Sequence, residues 1–269
     1  MTALARRITR GVVSAAALAL LLMAGTGGAR AAPRAMWCTA PPDALRLKVN
    51  LPYTARAIRR NRELVIVAIG SSSTEGASAS SSAHTYPARL SQELALRWPH
   101  LRLRVINEGV GGETASEMLK RFETDVMAHK PQLVIWQAGS NSLLRHKNLD
   151  NYLATIRTGI QRLKAAKTDV ILMDPQYAPV VVAQPAHLKM VTAMRAIAND
   201  LRVGLFQRFA VMRHWLSPGE TQMADVIARD RLHMNDASYA CIAKLLADSV
   251  TAVARRELDP AEMSTATRN

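Results

Sequence analysis

Five short apolar runs recur along the chain, separated by longer segments of mixed polarity. They lie at residues 64–69, 101–106, 133–138, 170–173 and 203–206. The second run alternates apolar and basic residues at its start, and the others are nearly continuous. Continuous apolar runs of this length are typical of β-strands that are covered on both faces. The pattern therefore predicts about five strands in the interior of the protein.

Helical patterns fill most of the intervals between these runs. They cover residues 86–97, 114–128, 148–166, 185–200 and 237–257. Thr114, followed three residues later by Glu117, forms a capping-box pattern that predicts a helix start. Strands and helices in alternation indicate an α/β fold with three layers, α/β/α, around a parallel sheet of about five strands. In such sheets the ligand site lies beyond the carboxyl ends of the strands.

The first 31 residues have the pattern of a secretory signal peptide. A basic leader with three arginines precedes the apolar run at residues 11–25, and the tripeptide ARA follows at residues 29–31. We expect cleavage after Ala31 and a periplasmic or secreted protein, without stable membrane insertion. An uncleaved anchor is the alternative, but the run is short for a membrane span.

The remaining chain divides into three parts by its pattern. Residues 32–62 are expected to be an irregular segment, residues 63–257 one folded domain and residues 258–269 a polar tail. At 49% hydrophobic residues the chain is able to bury a large core, and with 4% aromatic residues that core consists mainly of aliphatic side chains.

The chain is strongly basic. The formal net charge is +14, and loss of the signal peptide with its four arginines lowers it to +10. This charge favours anionic partners such as cell-wall polymers, lipid headgroups or acidic polysaccharides, although a soluble basic protein without such a partner is an equal alternative. No dense basic block is interleaved with aromatic residues, so we expect no nucleic-acid partner. The sequence carries no signal for an oligomeric state.

The two cysteines, Cys38 and Cys241, form an even count in a chain that is expected to be exported. An oxidising compartment favours a disulfide between them, and two free buried thiols are the alternative. Neither has a histidine or a second cysteine at metal-ligand spacing, so no metal site is expected. We expect no cofactor.

Ser, Gly and Asn follow three of the predicted strands. The segments are GSSST at residues 70–74, NEGVGGET at 107–114 and GSNS at 139–142, and DRLHMND at 230–236 precedes the last helix. Because the carboxyl ends of parallel strands meet at one edge, we expect these segments to converge.

Together these segments contain the groups that acyl transfer requires. A serine hydroxyl becomes a nucleophile when a base removes its proton, and a neutral imidazole such as that of His233 is suited to this near pH 7. Asp230 is placed to orient the imidazole. The oxyanion needs preorganised donors, for which the backbone N–H of Gly112, the amide of Asn141 and the N–H of the nucleophile are candidates.

The four segments, in this order, resemble the blocks of the SGNH hydrolases, also called GDSL-type esterases. The resemblance extends from residue 64 to about residue 253 and implies the flavodoxin-like fold of that superfamily. Its register implies that Ser72 is the nucleophile. The chain departs from the family pattern at two positions, because Ser71 and Ser142 stand where the family has aspartates.

Each of these assignments has a simpler structural alternative. Ser72 could be an ordinary loop serine, His233 a surface histidine and Asp230 part of a local turn. Asn141 could cap a loop, and Gly112 could serve only a turn with positive φ. The six other histidines have no acidic partner that is evident in the sequence.

The preferred interpretation is an exported serine esterase that hydrolyses carboxylic esters of small acyl groups, with acylated cell-wall or polysaccharide substrates. One alternative is a lysophospholipase or thioesterase acting on longer acyl chains. Another is a non-catalytic glycan-binding protein on the same scaffold, which the two missing aspartates keep open. A conventional α/β-hydrolase is disfavoured because GSSST lacks the second glycine of the G-x-S-x-G turn.

Overall fold

A parallel five-stranded sheet forms the centre of the part of the chain that the computed structural model describes, residues 37–217 and 221–258. The strands are β1 (Leu64–Gly70), β2 (Leu103–Gly109), β3 (Leu133–Gln137), β4 (Asp169–Met173) and β5 (Gly204–Phe206). Their order across the sheet is β2-β1-β3-β4-β5, and all neighbours are parallel. The predicted α/β class with a parallel sheet is confirmed. The predicted signal peptide and the tail beyond residue 258 lie outside the described residues.

The accuracy of the predicted strand ends depends on whether a strand lies in the interior or at the edge of the sheet. Strands β1, β3 and β4 are buried along their whole length, as their continuous apolar runs predict. The edge strand β2 starts two residues later than predicted and continues to Gly109, paired with Gly70 of β1. Its last residues, Asn107 and Glu108, are polar because this edge is only partly covered.

The helices connect successive strands along the chain and flank the sheet. Their bounds are α1 Pro42–Leu45, α2 Pro52–Arg59, α3 Ser72–Glu75, α4 Tyr86–Arg97, α5 Ala115–Lys120, α6 Phe122–Asp125, α7 Ser140–Leu144, α8 Leu149–Ala165, α9 Pro179–Val182, α10 His187–Asp200, α11 Arg208–Trp215, α12 Met223–Val226 and α13 Asp236–Leu258. Two short 3₁₀ turns, Ser82–His84 and Met127–His129, complete them. Four of the five predicted helices are present with ends shifted by at most two residues.

The fifth predicted helix, residues 114–128, is broken into α5, α6 and a 3₁₀ turn. Its start is as predicted, because Thr114 and Glu117 form the capping box. The break falls at Arg121, whose backbone N–H bonds to Met118 in a tighter 3₁₀-type turn. The Arg121 side chain binds the carboxylate of Glu113 and the carbonyl of Glu108, which anchors this point to the end of β2.

The segment 32–62, expected to be irregular, contains two helices in its described part. Pro42 and Pro52 each occupy the first turn of a helix, where a missing N–H has no cost. Helix α2 buries Thr54 against the sheet, and both the backbone N–H and the hydroxyl of Thr54 donate to Asp169 at the start of β4, each at 2.8 Å. This short amphipathic helix is therefore held in place by its contact with the sheet.

The C-terminal helix α13 packs against α4 and α2. Among the described residues it is the one helix long and apolar enough to span a membrane, but 72% of its most apolar window is buried in the fold. This burial is that of a core helix. Cys241 on this helix forms a disulfide with Cys38, with the two Cα atoms 5.6 Å apart, so the predicted disulfide is confirmed.

Loss of this disulfide should destabilise the protein without changing the fold. It closes a loop of 203 residues, and a native bridge of this kind contributes roughly 2–5 kcal/mol by restricting the unfolded chain. We expect the variant Cys38→Ser/Cys241→Ser to lose free energy of unfolding in this range in urea titrations. Reductant should destabilise the parent protein to the same extent and leave the double variant unaffected. Equal stability of parent and variant without reductant would contradict the prediction.

Candidate active site

The turn after β1 carries Ser72. Strand β1 ends at Gly70, Ser71 is the N-cap residue, and Ser72 begins the four-residue helix α3. The end of β2 passes so close to this helix that a Cβ at Gly109 would lie 1.9 Å from the backbone nitrogen of Glu75. A glycine is required there, and the close approach fixes α3 against the edge of the sheet. Ser72 itself is half-buried.

A buried glutamine at the end of β3 holds this turn. The side-chain oxygen of Gln137 accepts hydrogen bonds from the backbone N–H of Ser71 at 3.0 Å, from its hydroxyl at 3.2 Å and from the hydroxyl of Thr74 at 3.1 Å. Ser71, one of the two positions where an aspartate is expected, is thus a hydrogen-bond donor on the inner side of the turn. Ser72, between the two anchored residues, is left to face outward.

The loop before α13 carries Asp230 and His233. An isolated antiparallel bridge between Ile227 and Met234 closes this loop. Asn235 caps α13, because its side-chain oxygen accepts from the backbone N–H of Ser238 at 3.0 Å. The loop is therefore fixed on both sides of the histidine.

His233 joins Ser72 and Asp230 in a continuous chain of hydrogen bonds. Its Nε2 atom lies 2.7 Å from the Oγ atom of Ser72, and its Nδ1 atom lies 2.6 Å from the Oδ2 atom of Asp230. The order of the contacts matches that of a nucleophile, a base and an orienting acid. The histidine side chain is 15% exposed and that of Asp230 is 41% exposed, so the aspartate end of this series of hydrogen bonds is the one that faces solvent.

Asp230 is held as a carboxylate. Partial burial raises its pKa, but this is outweighed by hydrogen bonds from the backbone N–H groups of His233 and Leu232 and from the His233 ring, which place the pKa well below its usual range. The hydroxyl of Ser78 donates a further hydrogen bond to Oδ2 at 3.1 Å. Ser78 was not singled out from the sequence, where it is one serine in a serine-rich segment.

The two remaining predicted residues lie side by side. Gly112 has a φ of +79°, the left-handed conformation that favours glycine. Glu113 follows Gly112 in the chain, and its backbone carbonyl accepts a hydrogen bond from the side-chain nitrogen of Asn141 at 2.9 Å. This bond uses one of the two amide hydrogens and leaves the other for a ligand. A Cβ placed on the neighbouring Gly111 would lie 4.0 Å from the Cβ of Ser72, which puts this loop beside the serine.

Two buried residues that the sequence did not reveal connect the Asn141 and His233 segments. The side-chain oxygen of Gln176, after β4, accepts from the hydroxyl of Ser140 at 2.7 Å and from Arg208 at 2.9 Å. Its nitrogen donates to the carbonyl of Leu232 at 3.4 Å. Arg208 gave no signal, because a lone arginine in a helix usually faces solvent.

Burial dominates the electrostatics beneath the site. Arg208 is fully buried, and this lowers its pKa to about 10, against the attraction of Asp174. Burial also raises the pKa of Asp174 to about 7, although a hydrogen bond from the backbone N–H of Phe209 and the charge of Arg208 act in the opposite direction. Burial therefore acts against the charged form of both groups, and their mutual attraction offsets only part of this effect.

Within the described residues, two of the six other histidines lie close to acidic side chains. The Nδ1 atom of His84 lies 3.2 Å from Asp236, and the Nε2 atom of His129 lies 3.3 Å from Glu108. These partners are remote in sequence, so their proximity was not evident. The histidine that contacts Ser72 is His233. Within the described ranges no group of three or more His, Cys, Asp or Glu side chains has the arrangement of a metal site.

Comparison with known proteins identifies the family. Residues 37–256 match the model of the non-GDSL lipase-like family, and the chain belongs to this family. The resemblance to the SGNH-type hydrolases is thereby confirmed, and with it the predicted class, an enzyme that hydrolyses esters. An acetylxylan esterase from Geobacillus stearothermophilus is 28% identical over 163 residues, which are 55% of this chain and 72% of the relative.

Solved structures show the same fold. A two-domain esterase active on acetylated mannans, crystallised with mannopentaose, superposes with a TM-score of 0.67 at 19% identity over 78% of this chain. The chain spans 56% of the length of that protein. A catalytic mutant of an acetylxylan esterase from Geobacillus stearothermophilus superposes with a TM-score of 0.61 at 23% identity, over 70% of this chain and 94% of that protein.

Titration of Asp174 should make stability depend on pH. Its pKa of about 7 lies above the ordinary 3.8, so the carboxyl favours the folded state most below about pH 4 and this contribution is lost as the pH rises towards 7. Asp174→Asn retains an acceptor for Phe209 but does not titrate. The free energy of unfolding of the parent minus that of the variant should fall between about pH 4 and pH 7 and stay constant above.

Urea titrations at several pH values measure this difference. Asp150→Asn, on the exposed side of α8, is the matched control and should show no such change in this interval. A difference that is constant with pH for Asp174→Asn would show that the buried carboxyl keeps an ordinary pKa.

Proposed function

We propose that this protein is an exported serine esterase that removes acetyl groups from a polysaccharide. The observation that carries the proposal is the chain of hydrogen bonds from Ser72 through His233 to Asp230, with contacts of 2.7 and 2.6 Å. The relatives act, by their descriptions, on acetylxylan and acetylated mannans, which supports an acetylated glycan as substrate. The disulfide supports export, since such bonds persist in oxidising compartments.

In the proposed reaction Ser72 Oγ attacks the carbonyl carbon of the ester while Nε2 of His233 takes the hydroxyl proton. The resulting oxyanion accepts hydrogen bonds from the backbone N–H groups of Ser72 and Gly112 and from the free amide hydrogen of Asn141. The intermediate collapses when His233 returns the proton to the departing sugar oxygen, which leaves an acetyl-enzyme. Water, deprotonated by His233, then attacks this ester and releases acetate and the free serine.

Asp230 has two tasks in this scheme. Its carboxylate holds Nδ1 of the His233 ring, so that Nε2 points at Ser72, and it stabilises the imidazolium that forms after proton transfer. Its low pKa suits both tasks, because the group stays ionised throughout the pH range in which the histidine works as a base. A protein that only binds glycans would have no need for this charge and geometry.

Substitution of Ser72 tests the proposal directly. Ser72→Ala should lower kcat/KM for p-nitrophenyl acetate by roughly 10⁴-fold or more, because the nucleophile is lost. The thermal midpoint should hardly change, since the hydroxyl is at the surface of the turn. Ser71→Ala and Ser73→Ala are the matched controls and should remain active.

Labelling with an organophosphonate separates an esterase from a glycan-binding protein. The parent should gain one adduct, on Ser72, by mass spectrometry. An active Ser72→Ala variant combined with an inactive Ser71→Ala or Ser73→Ala variant would assign the nucleophile to another serine, and a parent that forms no adduct would favour the binding protein.

His233 and Asp230 should behave as one unit with Ser72. His233→Ala should lose nearly all turnover, and Asp230→Asn should be roughly 10–100-fold less severe. The double variant should be no worse than His233→Ala alone, because the aspartate acts through the histidine. Values of kcat/KM for the three variants complete this cycle. Additive losses would show that Asp230 acts on the substrate independently.

A further inference from the structure

A polar cavity of about 300 Å³ is lined by residues of α5, α7 and α8 and of the segments next to them. Two of its walls belong to the same loops as the candidate oxyanion donors. Thr114 stands two residues after Gly112, and Ser142 directly follows Asn141. The cavity thus adjoins the two loops that carry Gly112 and Asn141.

The lining of this cavity consists mostly of hydroxyl and amide side chains. Its residues are Thr114, Ala115, Ser116, Ser142, Lys147, Asn148, Asn151, Tyr152 and Thr155. A lining for a long acyl chain would be mainly apolar. Hydroxyls and amides, each able to donate and accept, are the groups that match the hydroxyls of a sugar ring.

Several of these groups retain hydrogen-bonding capacity. The exposed side chain of Asn151 and the hydroxyl of the buried Ser142 have no partner within the described part of the chain, and the buried hydroxyl of Tyr152 has none either. By contrast, the oxygen of Asn148 caps α8, and the hydroxyl of Thr155 donates to the carbonyl of Asn151. A buried hydroxyl without a partner, here that of Tyr152, indicates a place for a polar ligand or water, and the exposed amide of Asn151 is able to contact the same ligand.

The second departure from the family pattern contributes to this cavity. Position 142 has an aspartate in the family pattern, and serine is shorter and uncharged. The lining therefore contains no carboxylate. The volume lies at the lower end of the range for small-molecule sites, about 300–1,000 Å³, which suits a single sugar ring rather than a long oligosaccharide.

We propose that this cavity is a subsite for one neutral sugar ring of the polysaccharide, a neighbour of the acetylated unit, with Asn151 and Ser142 as its recognition residues. The inference rests on the proposed function, because it assigns the subsite to the glycan part of an ester substrate. It explains how a small acetyl group is recognised in the context of a polymer. The sugar binds remote from the reacting bond and directs the ester towards Ser72.

Comparison of two substrates tests the subsite. Acetylated xylotetraose uses both the ester site and the cavity, whereas p-nitrophenyl acetate uses the ester site alone. Asn151→Leu replaces the amide of this residue with an apolar side chain of similar shape. We expect it to lower kcat/KM for the oligosaccharide about tenfold, the effect of one or two lost hydrogen bonds. Its activity on p-nitrophenyl acetate should stay within about twofold of the parent, since no group near Ser72 changes.

Gln161→Leu is the matched control. It makes the same kind of change on an exposed position of the same helix, outside the cavity. It should leave both activities unchanged. Ser142→Asp is an independent variant that restores the residue of the family pattern, and it should lower the activity on the oligosaccharide selectively.

The outcomes separate the two proposals. If the parent hydrolyses p-nitrophenyl acetate and Asn151→Leu and Ser142→Asp leave the oligosaccharide activity unchanged, the subsite is wrong and the esterase stands. Equal losses on both substrates in a folded variant also overturn the subsite, because the effect would then be on the catalytic site. A parent without activity on either ester overturns the proposed function and the subsite with it.

Discussion

The side-chain oxygen of Gln137 is the acceptor on which the conformation of the turn with Ser72 depends. It collects three donors from Ser71 and Thr74 in a region closed to water. A buried amide oxygen without partners costs about 1–3 kcal/mol, so the turn has one favourable arrangement. Ser72 stands between Ser71 and Thr74, which are both bound to Gln137 at the end of β3. The sheet therefore fixes the position of the Ser72 backbone. His233 contacts the hydroxyl of Ser72, and Asp230 contacts His233, so both depend on the position of this turn.

A second buried network sets the relation between the remaining parts. Gln176 touches both the helix that begins at Ser140 and the loop that precedes His233, and Arg208 fixes the orientation of its amide. Burying an arginine is costly unless its charge is compensated and its donors are bonded. Through Gln176, this buried arginine connects the segments that carry Asn141 and His233, so that a relative shift of the two segments would break the network.

The two departures from the family pattern are integrated into the structure. At Ser71 a hydroxyl donates to Gln137, which an ionised aspartate is unable to do because it only accepts. At Ser142 the shorter side chain lines a cavity that contains no carboxylate. Neither position is one of the residues proposed as nucleophile, base or oxyanion donor, so the two departures change the surroundings of the proposed site and not its reacting groups.

The sequence by itself determined the sheet, most helices and the residues that converge at its edge, because apolar periodicity is local and the carboxyl ends of parallel strands meet. It left two alternatives for the cysteines, a disulfide or two free thiols, and the structure shows the disulfide because the two residues lie close together in the fold. It did not determine the helices in the segment before β1 or the break at Arg121, which depend on contacts with strands remote in sequence. The tertiary structure alone decided that Gln176 and Arg208 are buried beneath the site. A polar side chain has the same local pattern whether it faces water or another chain segment, and only the packing of the whole fold distinguishes the two.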